Sequence, residues 1–99
     1  MNRYIIHVPR DYNNGETIPW RKHVDLVDGL TRVFGGITCI REVLGQWVDP
    51  QGEIAVDFLY LYLVDTDRED FDWQELERQI AADFQREEVY ITKQVIEVL

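Results

Sequence analysis

Ninety-nine residues, 45% apolar and 29% charged, make one folded domain with a single modest core and exclude a disordered chain. The net charge of −9 is uneven: residues 1–42 hold six Lys/Arg and five Asp/Glu, residues 43–99 four and fourteen. Such a surface repels nucleic-acid backbones and anionic lipids, and the single Cys39 excludes a disulfide framework or a multi-cysteine zinc site.

Tyr4 to Val8 alternates weakly and stops at Pro9, which predicts a short first strand. Asn13-Asn14-Gly15 then marks a loop. Pro19 suits the first position of a helix whose apolar stripe is Trp20, Val24, Val27, Leu30 or Thr31, and Phe34, ended by Gly35. Gly29, inside that helix, predicts close packing on a neighbour. A strand over 37–48 follows, with a bulge or bend expected at Gly45 and Trp47 expected to lock across the hairpin. Asp49-Pro50-Gln51-Gly52 matches a type I turn position by position.

The next strand is apolar on both faces. Ile54, Val56, Phe58, Tyr60, Tyr62 and Val64 share one side; Ala55, Asp57, Leu59, Leu61 and Leu63 share the other. After the acidic loop 65–70, Asp72 and Glu75 form a capping-box pattern, with Phe71 placed to staple on Leu76. Trp73, Leu76, Ile80 and Phe84 are the stripe of a second helix, and Val89 to Thr92 resumes strand character, running on as far as Val98.

Strand, helix, strand, turn, strand, helix, strand is the α+β, ferredoxin-like split βαβ plan: a four-stranded antiparallel sheet with two helices on one face, in one domain spanning 1–99. A third strand apolar on both sides implies that a second copy covers the bare face. Aliphatic residues interdigitate well with helices, so this reading puts the Leu face beneath them and assigns Tyr4, Phe58, Tyr60 and Tyr62 to a homodimer seam.

The plan gathers Arg10, Arg21, Lys22 and His23 at one end, beside a helix N-terminus, as a candidate site for a small anionic ligand or an acidic protein partner. No catalytic motif is present, no metal set is assigned, and no cofactor is called for. His7 and His23 are the candidate acid–base residues of an enzyme with its site between sheet and helices. Tyr4, Tyr60 and Tyr62 could stack bases, but the basic residues an RNA platform needs are missing.

The run Gly35-Gly36-Ile37-Thr38, then Gly45-Gln46-Trp47-Val48-Asp49 and Gly52, resembles a pattern in small bacterial proteins of unknown function. That resemblance covers about residues 34–64 and implies the ferredoxin-like hairpin without implying an activity. With neither an N-terminal h-region nor a membrane-length apolar run, the expected setting is cytoplasmic. The leading reading is a non-catalytic binding or regulatory homodimer acting on a partner protein or small ligand. Its alternatives are a cofactor-independent small enzyme, and an acidic inhibitor from a mobile element that imitates nucleic acid.

Overall fold

A computed structural model describes every residue from Met1 to Leu99. In chain order the elements are β1 (Asn2–Pro9), α1 (Trp20–Phe34), β2 (Thr38–Val48), β3 (Ile54–Thr66), α2 (Trp73–Asp83) and β4 (Tyr90–Val95). The strands make one antiparallel four-stranded sheet in the order β2-β3-β1-β4, and both helices pack on the same face of it. This is the split βαβ plan that the order of elements predicts.

The local signals act as their chemistry requires. Gly35, at φ 86°, ends α1 and donates its N–H to the Thr31 carbonyl at 2.8 Å. The Asp49 carboxylate accepts from the N–H groups of Gln51 and Glu53, and Gly52 closes the turn at φ 80°. Asp72 caps α2 by accepting from the Glu75 N–H at 3.0 Å. Glu75 does not complete the capping box; its side chain pairs with Arg78 instead. Phe71 packs edge-on against Phe34 and Trp73.

The register decides which face is the core. Tyr4 pairs with Val64, Ile6 with Tyr62 and Val8 with Tyr60; all six are buried beneath Leu30 of α1, Ile80 and Ala81 of α2, and Phe84 just past its end. Tyr4, Tyr60 and Tyr62 are therefore core residues of the single chain, not a dimer seam or a base-stacking platform. The opposite choice fails on polarity. The Leu face carries Asp57, whereas the tyrosine face buries large rings and gives the Tyr62 hydroxyl a partner in His23. Leu59, Leu61 and Leu63 lie on the other face, half-buried against Pro9, His7 and Ile5 across the ladder.

Three further expectations change. The irregularity in β2 lies between Ile40 and Val43, with Glu42 at φ 54°, while Gly45 stays in the ladder opposite Asp57. A Cβ at Gly45 would meet the Leu59 side chain at 3.2 Å, so the glycine relieves crowding and not a bend. Gly29 is exposed with open space around it, so no close helix packing depends on it. His23 takes the innermost place on α1, and Trp20 stays half in solvent.

Past Pro9, which pairs with Leu59, and the Arg10 N–H, which donates to the Phe58 carbonyl at 2.9 Å, β3 has only β2 beside it. The two strands run on as a bare arm, and the molecule measures 42 × 28 × 23 Å. No helix is long and apolar enough to cross a membrane.

Candidate functional site

Where the arm leaves the body, it faces two loops, the one after β1 and the one between α2 and β4. Arg86, in the second, ties the three together. Its Nη1 donates to Asp57 Oδ2 on β3 at 2.8 Å, and its Nη2 donates to the Asp11 carbonyl at 2.8 Å. The ion pair is 17% and 13% exposed, dry enough to fix a geometry. Pairs of this kind set position more than they add stability. Arg86 Nε is buried with no partner.

Around this pair lie two cavities sharing Asn13, Trp47, Asp57 and Arg86. The smaller, about 380 Å³, reaches Tyr12, Val56 and Phe58. The larger, about 840 Å³, opens on the face away from the helices and is lined by His7, Leu59, Glu87, Glu88 and Tyr90. That volume lies in the range of small-molecule sites. A further hollow of about 580 Å³ lies between α2 and β4.

The larger cavity has a definite chemistry. Trp47, half exposed opposite Ala55, and Tyr90 offer aromatic surface. Glu87 and Glu88 make no ion pair within the chain, whereas Asp57 is already neutralised. His7 Nδ1 lies 3.1 Å from the Tyr90 carbonyl, which can only accept, so Nδ1 carries a proton and Nε2 is the position without a partner. Aromatic faces with unpaired carboxylates suit a ligand that is cationic and partly apolar.

The anion site expected at Arg10, Arg21, Lys22 and His23 is not assembled. Arg10 is held by Asp11 and Glu42 and lies over Phe58; its hydrogen bond keeps the Asp11 carboxyl below the usual range. Arg21 pairs with Asp25, and Lys22 reaches Asp83. His23 is buried, with Nδ1 2.7 Å from the Tyr62 hydroxyl and Nε2 unpartnered. Burial, and then the charge of Arg41, depress its pKa to about 4, so it is neutral near pH 7. Tyr60, Trp20 and Phe84 close around its ring. The two histidines thus lie on opposite faces of the sheet, and no metal cluster forms. Desolvation also raises the Cys39 thiol, which opposes thiolate chemistry there.

Sequence reasoning gives no site role to Asp57, Arg86, Glu87, Glu88 or Tyr90. One signal was available: a carboxylate in an otherwise apolar strand requires a cation from elsewhere in the fold, and Arg86 supplies it.

No family model matches the chain. No curated protein matches it either. Among solved structures it is similar to a phage SAM lyase in complex with S-methyl-5'-thioadenosine, at 15% identity and a TM-score of 0.65, over 94% of this chain and 79% of that one. The likeness is one of fold.

Proposed function

We propose that this protein is a small enzyme that binds a sulfonium nucleoside, S-adenosylmethionine or a close relative, in the larger cavity and splits it. The observation that carries the reading is the pairing of Trp47 and Tyr90 with the unpaired Glu87 and Glu88 in a cavity of about 840 Å³. A sulfonium is a soft cation attracted to aromatic faces and carboxylates, and an adenine ring needs flat apolar surface. The whole-length likeness to a phage SAM lyase supports the same choice.

The bond to break joins sulfur to the γ-carbon of the amino-acid arm. Its electron pair goes to sulfur, and S-methyl-5'-thioadenosine leaves as a neutral thioether that needs no proton. The γ-carbon is completed in one of two ways. The substrate's own carboxylate closes on it to give a five-membered lactone, or a β-proton is lost to a base to give an unsaturated amino acid. His7 Nε2, in the cavity wall, is the base for the second route. The acidic rim holds the cation and disfavours anionic nucleosides.

Incubation with S-adenosylmethionine, followed by chromatography of the nucleosides and amino-acid products, tests this. Protein-dependent S-methyl-5'-thioadenosine is expected, strongly reduced by Trp47→Ala and by the Glu87→Gln/Glu88→Gln pair. A lactone retained by His7→Gln identifies the first route; an unsaturated product lost in that variant identifies the second. Binding without turnover would leave the non-catalytic reading of the same cavity, and neither binding nor turnover would overturn the proposal.

A further inference from the structure

Arg86 has donors that the chain itself does not use. Its guanidinium carries five N–H groups. Nη1 gives one to Asp57 Oδ2 at 2.8 Å, and Nη2 gives two, to the Asp11 carbonyl at 2.8 Å and to Asp57 Oδ1 at 3.3 Å. The second N–H of Nη1 is left over, and the Nε–H is buried and unmet. Unmet donors on an arginine only 17% exposed call for an acceptor. The two cavities meet at this side chain.

Their walls supply no other permanent cation. Arg86 is the one Lys or Arg among the lining residues, against Asp11, Asp57, Glu87 and Glu88. Arg10 and Lys22 lie over Phe58 and Tyr12 of the smaller cavity, but Asp11, Glu42 and Asp83 hold them. A sulfonium nucleoside with an amino-acid arm brings a carboxylate as well as its cationic groups. Glu87 and Glu88 repel that carboxylate, whereas Arg86 offers it a charged donor.

On the footing of the sulfonium site proposed above, we propose that Arg86 binds the α-carboxylate of the substrate's amino-acid arm. The Nη1 N–H that Asp57 leaves free donates to it. The arm then runs from the larger cavity toward its junction with the smaller one, and the sulfonium stays beside Trp47, Glu87 and Glu88. Asp57 orients the guanidinium for this contact. The site thereby selects sulfonium nucleosides whose arm ends in a carboxylate.

Stopped-flow tryptophan fluorescence, which reads binding ahead of turnover, tests this with three ligands. Decarboxylated S-adenosylmethionine carries one more net positive charge than S-adenosylmethionine. A cavity acting through its carboxylates alone therefore binds the decarboxylated form more tightly. With Arg86 on the carboxylate, the wild type is expected to favour S-adenosylmethionine instead, by about tenfold. The paired exchange Asp57→Asn/Arg86→Gln leaves the net charge unchanged and should turn the preference back to the decarboxylated form. S-methyl-5'-thioadenosine, which has no arm, should bind both proteins alike. A wild type that binds the two sulfonium ligands equally, or prefers the decarboxylated one, overturns the role of Arg86 and leaves the sulfonium site standing. Loss of S-methyl-5'-thioadenosine binding in the variant overturns it too, because Arg86 then only shapes the cavity. If the wild type binds none of the three, the sulfonium reading falls and this inference falls with it.

Discussion

The helix-covered body and the bare arm are built from the same kind of sequence, and they differ only in what lies above them. Between Tyr60 and Val64, β3 alternates large side chains beneath α1 and α2 with leucines on the far face. Between Ile54 and Phe58 the same strand keeps the alternation and has no helix over it. Apolar periodicity therefore fixes which residues share a face, and the reach of the helices fixes which of them are buried. The body's apolar residues stabilise this chain; the arm's are available to something else.

The largest contrast between the two regions lies in truncation of apolar side chains. Phe84, 1% exposed at the end of α2, should lose about 3–5 kcal/mol when changed to Ala, because transfer and cavity terms add. A urea titration of that variant reads the loss directly.

The next effect belongs to the body alone. His23 sits among aromatic rings with one polar partner, and its pKa of about 4 lies below the roughly 6.5 of an unfolded chain. Between those values the unfolded chain takes up a proton that the folded chain refuses. Its part in stability is thus intact above about pH 6.5 and falls away as pH drops toward 4, by about 2 kcal/mol at pH 5. Unfolding midpoints at pH 7 and pH 5 check this, and His23→Gln should flatten the difference.

Smaller again is the turn that ends the arm. Gly52 holds φ 80°, a conformation a β-branched residue adopts only under strain. Gly52→Val should destabilise by about 1 kcal/mol or more in a thermal melt. Least of all, Leu44→Ala on the exposed arm should stay within about 0.5 kcal/mol in a urea titration.

What was legible in the sequence follows the same division. Gly35, Asp49-Pro50-Gln51-Gly52 and Asp72 act over a few residues, so the order of elements could be read from them. The choice between the Tyr and Leu faces could not, because it turns on a contact across the fold, His23 with Tyr62, and on Asp57 needing Arg86 from 29 residues away. The cationic cluster dissolved for a related reason. Arg10, Arg21 and Lys22 share one end of the chain's plan, but each pairs with a carboxylate of the chain itself. The bulge at Glu42 was missed because its left-handed residue is not a glycine.

Three tryptophans mark three separate regions: Trp47 the larger cavity, Trp20 the root of the arm, and Trp73 the helix-covered body beside Tyr4 and Phe34. Titrating the ¹⁵N-labelled protein with S-methyl-5'-thioadenosine while following the indole N–H signals therefore tests the placement of the site directly. Trp47 is expected to move and saturate together with the amides of Gly45, Glu87 and Glu88, while Trp20 and Trp73 stay still. Movement of Trp20 or Trp73 with Trp47 unchanged, or no movement at all, would contradict it.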